Sequence, residues 1–140
     1  MPHRGRTTAI LLATGAVVVL VLGVVVWFRS DLEKIQGRWK VVSVTGDDKA
    51  GPKLDHMVFE DRTLRLVRDN GSTEIVSYHL DEAHQPRWFD WIFIGGNVKG
   101  IYDLTGDALR LCLNSETGER PITFEAKPGD GLIVAIYKRE

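Results

Sequence analysis

Short segments of alternating apolar and polar residues follow one another from residue 37 to the end of the chain, and this pattern limits the fold more than any other feature. Alternation places successive side chains on opposite faces of a strand. Turn signals such as Asp69-Asn70-Gly71 recur at intervals of roughly 8–14 residues, as is typical of an all-β sandwich or barrel. The pattern therefore predicts an all-β domain.

Nine strands are predicted from this alternation. They cover residues 37–45, 56–60, 63–68, 72–80, 87–94, 98–104, 108–114, 122–126 and 132–139. Each segment has one mainly apolar face, and the connections are short and sequential, which favours a small up-and-down antiparallel β-barrel over residues 37–140. The last segment is apolar on both faces, so we expect another part of the chain, with Leu32–Gln36 as the candidate, to pack on its outer side.

A second pattern occupies the N-terminus, where 17 of the 20 residues from Ala9 to Phe28 are apolar and no charge occurs from Thr7 to Phe28. As a helix, 20 residues span about 30 Å, the thickness of a bilayer core. We therefore predict one N-terminal transmembrane helix over residues 9–28, acting as a signal anchor. Residues 1–8 would form a short cytoplasmic tail, and residues 29–36 a linker or short helix.

Topology and processing of this segment are also predicted. Arg4 and Arg6 favour a cytoplasmic N-terminus, which places the C-terminal domain of a single-pass bacterial inner-membrane protein outside the cytoplasm. The alternative is a cleaved signal peptide. The apolar stretch exceeds the usual 7–15 residues of such peptides, and no small-residue cleavage motif follows Phe28, so the uncleaved anchor is favoured.

The interior of the predicted barrel carries the candidate binding residues. Aromatic side chains on the inward-facing parity are the candidates, namely Phe59, Tyr78, Phe89, Trp91, Phe93 and Tyr102. They would line an apolar cavity for a small ligand, or they would simply fill a narrow barrel. Because Arg65 and Arg110 fall on the polar face, we expect a neutral apolar ligand rather than a fatty acid held by an ion pair. Tyr78 and Tyr102 would supply the inward polar atoms.

A filled barrel would serve as a protein-interaction or structural module at the membrane, binding an envelope protein. Its contact surface would be the open end or the outer patch of Trp88 and Ile92. These two functions stay open at the level of the sequence.

Other chemistry is not expected. The net charge is −1 and no basic face emerges, which argues against nucleic acid as a partner. His79 and His84 lie near Asp81 and Glu82, but their spacing matches no metal motif. Cys112 is the single cysteine and is interpreted as an inert packed thiol, although Arg110 on the same face would lower its pKa. Without a catalytic motif we expect no enzyme and no cofactor.

Several segments together resemble an uncharacterised lipocalin-like domain family found mostly in planctomycete bacteria. They are residues 32–43 (LEKIQGRWKVVS), 100–113 (GIYDLTGDALRLCL), 120–124 (RPITF), 127–129 (KPG) and 137–140 (YKRE). The resemblance implies a calycin-type barrel, often behind a secretion signal or an anchor, and it implies no established activity.

Gly37-x-Trp39 also resembles the first-strand motif of lipocalins. There the tryptophan closes the base of the barrel, and a cation from the last strand packs over its ring. The resemblance implies that role for Trp39, with Lys138 or Arg139 as the cation and Arg139 as the candidate carried forward. The Thr-Asp-Tyr triplet of lipocalins is absent, so lipocalin function is not inherited.

Overall fold

The computed structural model describes residues 29–46, 51–115 and 118–140. The chain divides into two compact units, residues 1–34 and 35–140. Within the first unit a short helix, α1, spans Asp31–Lys34, and the hydroxyl of Ser30 accepts a hydrogen bond from the backbone N–H of Glu33. No helix in the described part of the chain is both long and apolar enough to cross a membrane. The predicted span over residues 9–28 lies outside the described residues.

The second unit is a closed barrel of eight antiparallel strands. They are β1 (Gly37–Gly46), β2 (Leu54–Glu60), β3 (Thr63–Arg68), β4 (Thr73–Asp81), β5 (Arg87–Phe93), β6 (Gly96–Thr105), β7 (Ala108–Asn114) and β8 (Leu132–Arg139). Each strand pairs with the next, and β8 pairs with β1 to close the ring. The all-β, up-and-down antiparallel barrel predicted from the alternation is confirmed.

The ninth predicted strand, residues 122–126, is wrong. These residues lie in the long connection between β7 and β8 and form no strand. β7 pairs directly with β8, from Ala108 opposite Lys138 to Asn114 opposite Leu132. A closed barrel leaves no free edge to which an additional strand can hydrogen-bond, so the local alternation of residues 122–126 finds no partner. The alternation of this segment would place Ile122 on the apolar inner face, but its side chain is 82 % exposed.

Parity assigns the faces of the eight observed strands as the sequence predicts. Pairing brings Phe89 opposite Gly100, and Gly100 opposite Leu113, on the inner face. A Cβ at Gly100 would lie 2.4 Å from Cδ2 of Leu113, so glycine is required for this close packing. Inward side chains with at most 1 % exposure are Trp39, Met57, Phe59, Leu64, Phe89, Tyr102, Leu109 and Leu111.

The outer side of β8 is covered by the connection that follows β7. Ile101, Cys112 and Val134 stand opposite one another on β6, β7 and β8 and form a buried row outside the barrel. Phe124 and Ala126 from the connection pack against this row. The expectation that another part of the chain packs on the outer side of β8 is thus confirmed at Val134, where the cover is this connection. Ile136 on the same face remains 38 % exposed.

The end of the barrel at which β1 begins, called the base, is organised around Trp39. Its indole N–H donates to the carbonyl of Ile35 at 2.7 Å. The guanidinium carbon of Arg139 lies 4.3 Å from the centre of the Trp39 ring, and Nη1 of Arg139 donates to the carbonyl of Gln36 at 2.7 Å. Gly37 has φ +112°, a backbone conformation that favours glycine. The lipocalin-like contact expected between Trp39 and a last-strand cation is made by Arg139.

Replacing Trp39 by alanine tests this organisation. Since Trp39 is fully buried, Trp39→Ala should lower the free energy of unfolding by about 3–5 kcal/mol, because a large cavity opens at the seam between β1 and β8. Thermal denaturation followed by circular dichroism measures it. The control, Ile75→Ala on the outer face, should change stability by no more than about 0.5 kcal/mol. A Trp39→Ala melting temperature equal to that of the wild type would contradict this role of Trp39.

Candidate functional site

The six aromatic candidates of the interior lie together in one connected group of ring contacts. Phe89 is at its centre, with ring centroids 6.3 Å from Phe59, 6.0 Å from Tyr78, 6.1 Å from Trp91 and 6.3 Å from Tyr102. Trp91 in turn lies 6.2 Å from Phe93. Most of these pairs meet edge to face, the favourable geometry for aromatic rings. The barrel therefore presents one continuous aromatic wall to its interior.

Burial divides this wall into two zones. The rings of Phe59, Tyr78, Phe89 and Tyr102 are at most 4 % exposed and fill the barrel. Trp91 and Phe93 are only partly buried, and they lie toward the opposite end, called the mouth, where β5 ends at Phe93 and β6 begins at Gly96. The first four rings thus form a floor, and the last two form a wall above it.

The hydroxyl of Tyr78 makes hydrogen bonds within the protein and is therefore not available to a ligand. It donates to the carbonyl of Asp61 and accepts a hydrogen bond from Nε2 of Gln36 at 3.1 Å. Oε1 of Gln36 also accepts the backbone N–H of Asp61 at 2.6 Å. Burial raises the pKa of Tyr78, so the phenol stays protonated. One of the two inward polar atoms expected from the sequence is thereby committed to the turn between β2 and β3.

The seam between β1 and β2 is short on the side of the mouth. β1 pairs with β2 only from Gly37 to Lys40, but it pairs with β8 as far as Gly46. Val44 lies opposite Ala135, which stands opposite the inward Leu111, so Val44 faces inward, and yet it is 56 % exposed. An inward side chain that solvent reaches indicates that the barrel interior is accessible at this end.

An inward-facing ion pair lies at the mouth, and sequence reasoning missed it. Nη2 of Arg68 lies 3.1 Å from Oε2 of Glu74. Glu74 stands opposite the buried Leu66, and Arg68 continues the inward parity of Leu64 and Leu66. The signal was available, since the same two-residue period that places the leucines inward also places Arg68 there.

The arginines that the sequence assigns to the outer face do lie there. Arg65 pairs with Glu60 at 3.0 Å and is about half exposed. Arg110 lies over the ring of Phe124, 3.9 Å from its centre, on the outside of the barrel. The Arg68–Glu74 pair is therefore the charged group to consider at the mouth.

Trp91 carries a polar atom without a partner. Its indole nitrogen is buried, and no hydrogen-bond acceptor lies within reach among the residues that the structure describes. Trp91 stands opposite Tyr78 on one side and Val98 on the other, so its side chain is on the inner face. A buried N–H without an acceptor costs about 1–3 kcal/mol, which makes it an unusual feature of a folded protein.

In the outer patch expected around Trp88 and Ile92, Ile92 is 40 % exposed and Trp88 is partly covered by neighbouring side chains. The ring of His84 stacks on Trp88 with a centroid distance of 3.3 Å, and the guanidinium of Arg120 lies 4.2 Å from the Trp88 ring centre. Nη1 of Arg120 also bonds to Oδ1 of Asp90 and to the carbonyl of Gly100, both at 2.7 Å. Arg120 thus fastens the connection before β8 to the barrel wall.

His84 and Cys112, which were considered for metal binding and thiol reactivity, both make contacts within the fold. Nε2 of His84 lies 3.3 Å from Asp81, and in the described ranges no cluster of three metal-ligating side chains occurs. Cys112 lies in the buried outer row, where burial and, secondarily, Asp130 raise its pKa to about 11. The lowering that Arg110 would produce is not observed, because Arg110 lies over Phe124 and burial dominates.

Comparison of the chain with protein-family models, with curated proteins and with solved structures finds no match in any of the three.

The surroundings of Cys112 predict its reactivity. Because only the thiolate is alkylated, a pKa near 11 should make alkylation by iodoacetamide at pH 8 about a hundredfold slower than for an ordinary cysteine, and burial slows it further. Mass spectrometry should find native Cys112 unmodified and urea-unfolded Cys112 labelled. In a Ser77→Cys control, the exposed thiol on β4 should react first. Equal labelling of both thiols in the native protein would contradict the assignment.

Proposed function

We propose that the protein is a membrane-anchored, lipocalin-like barrel that binds a small apolar molecule in the mouth half of its interior. The observation that carries the proposal is the contrast in burial along the inner wall. The floor rings are at most 4 % exposed, while inward Val44 is 56 % exposed and Trp91, Phe93 and Val98 are partly exposed. Eight strands enclose an interior just wide enough to be filled or to hold one small ligand, so an incompletely filled half suits the second case.

The chemistry of the wall favours an apolar and neutral occupant. Trp91, Phe93 and Val98 supply apolar surface, and Arg68 already has its charge balanced by Glu74. A carboxylate would have to displace Glu74 from Arg68 and leave a second anion at the mouth, which the Coulomb energy opposes. Binding of an uncharged molecule requires no such exchange.

Location forms the second half of the proposal. The apolar run Ala9–Phe28 would hold the chain in the bacterial inner membrane, with the barrel on the extracytoplasmic side. Membership of the planctomycete lipocalin-like family, which the sequence motifs suggest, belongs to the same proposal. No catalytic reaction is part of it.

A variant that fills the mouth tests ligand binding. Val98→Phe adds bulk directly opposite Trp91, and Ile75→Phe adds the same bulk on the outer face, where Ile75 is 71 % exposed. We expect saturable fluorescence enhancement of N-phenyl-1-naphthylamine, a neutral apolar dye, with the wild type and with Ile75→Phe. With Val98→Phe the dye affinity should fall at least about tenfold while thermal stability is retained, because the added ring occupies existing space.

Two outcomes would overturn the proposal. One is absence of saturable dye binding to the full-length wild type in detergent micelles, with empty micelles as the blank. The other is a loss of stability of about 1–3 kcal/mol in Val98→Phe, the usual result of overpacking, which would mean that the mouth half is filled. In the second case the barrel would be the filled interaction module that the sequence also allows.

The ion pair at the mouth generates a separate prediction. In Glu74→Gln, Arg68 loses its partner and becomes available to an anion. We expect the affinity for 2-naphthoate, measured by displacement of the dye, to rise about tenfold, while that for neutral 2-acetylnaphthalene, which has nearly the same shape, stays constant. Glu60→Gln frees Arg65 on the outer face and serves as the control. Equal effects on both naphthalenes would contradict a charge-selective mouth.

A further inference from the structure

The unpartnered indole N–H of Trp91 specifies more about the ligand than its size and polarity. Burial of a backbone or side-chain N–H destabilises the folded protein unless a hydrogen-bond acceptor replaces the water that the N–H loses. The Trp91 nitrogen is buried, and no acceptor is within reach in residues 29–46, 51–115 and 118–140. The ring itself is only partly buried and stands on the inner wall toward the mouth. The described residues thus leave this donor unsatisfied, and a molecule in this half of the barrel would reach it after a small shift of the Trp91 ring, because the nitrogen itself is closed to solvent.

The other polar atoms near this wall do not compete for the same role. The Tyr78 hydroxyl is held by Asp61 and Gln36. The Arg68 guanidinium is held by Glu74. The remaining neighbours of Trp91 on the wall, Phe93 and Val98, have no polar side-chain atoms. The partly exposed wall thus combines apolar surface with one uncharged donor.

From this arrangement we infer that the ligand is a neutral apolar molecule carrying one hydrogen-bond acceptor, such as a ketone, ester or amide carbonyl, and that this acceptor bonds to the Trp91 indole N–H. The inference rests on the proposed ligand-binding function and adds the chemical class of the ligand. Trp91 is here a specificity-determining residue. The carbonyl satisfies a donor that is already desolvated, so the hydrogen bond adds to the affinity instead of merely replacing one made to water.

Two probes of nearly the same shape isolate the hydrogen bond. 2-Acetylnaphthalene has a carbonyl where 2-isopropenylnaphthalene has a methylene group, and both are neutral. The full-length protein in detergent micelles is titrated with each probe by displacement of N-phenyl-1-naphthylamine. The wild type should bind the ketone about three- to tenfold more tightly than the hydrocarbon. Trp91→Phe keeps an aromatic ring, removes the N–H and should abolish this preference, while the hydrocarbon affinity stays nearly constant.

Trp88→Phe is the matched control, because it removes an indole N–H on the outer wall and should leave the preference unchanged. If Trp91→Phe does not fold, nuclear magnetic resonance of the ¹⁵N-labelled wild type gives a direct measurement. The ketone should move one of the four indole ¹H–¹⁵N signals downfield, and the hydrocarbon should not.

The outcomes separate this inference from the function on which it rests. Equal affinities for ketone and hydrocarbon in the wild type, with no indole shift specific to the ketone, would overturn the Trp91 bond and leave a binding barrel in place. A preference that persists in Trp91→Phe would overturn it as well, because another donor would then hold the carbonyl. Absence of saturable dye binding to the wild type would instead overturn the proposed function itself.

Discussion

The pairing of β8 with β1 is the constraint on which the rest of the barrel depends. It joins the two ends of a row of hairpins and pairs the backbone groups of the first and last strands with each other. Trp39 and Arg139 lie opposite each other in this pairing, and the guanidinium covers the indole. The same guanidinium bonds to the carbonyl of Gln36, whose amide holds the Tyr78 hydroxyl and the turn at Asp61. Closure of the ring and filling of its floor are therefore linked through a few side chains at the base.

The two ends of this barrel differ in packing. The floor rings of Phe59, Tyr78, Phe89 and Tyr102 are buried against one another, and on the outside the row of Ile101, Cys112 and Val134 is covered by the connection that Arg120 fastens. The mouth has neither feature, since β1 leaves β2 after Lys40 and the inward Val44 stays exposed. A binding site needs incompletely packed space, and a stable base permits it at the other end.

Much of the fold was predictable, because apolar residues recur at every second position in a strand with one buried face. Six predicted strands agree within one residue at each end with β1, β3–β5, β7 and β8, whereas β2 and β6 each begin two residues earlier than expected. The errors arise where the outcome depends on distant partners. Residues 122–126 alternate like a strand, but β7 and β8 are already paired with each other. The alternation places Trp88 on the outer face, but the guanidinium of Arg120, 32 residues further along the chain, lies over its ring and partly covers it.

The sequence predicted which aromatic residues face the barrel interior, but not how deeply each is buried or which hydrogen bonds it makes. Parity alone identifies the six aromatic rings as inward-facing. It does not distinguish the buried floor from the partly exposed Trp91 and Phe93, because exposure depends on the three-dimensional neighbours of each ring. The inward parity of Arg68 and Glu74 is visible in the sequence, but their pairing across β3 and β4 depends on the register of those strands. That the described residues offer the Trp91 indole no acceptor is a property of the three-dimensional surroundings and leaves no trace in the sequence.

The central claim is that a small apolar molecule lies inside the mouth half of the barrel. Intermolecular nuclear Overhauser effects between a bound neutral naphthalene and the methyl groups of the full-length protein in micelles test this claim most directly. The account predicts contacts to the inward methyl groups of Val44 and Val98 and none to the outward Ile75. Contacts to Ile75 without contacts to Val98, or no contacts to any barrel methyl group, would contradict it.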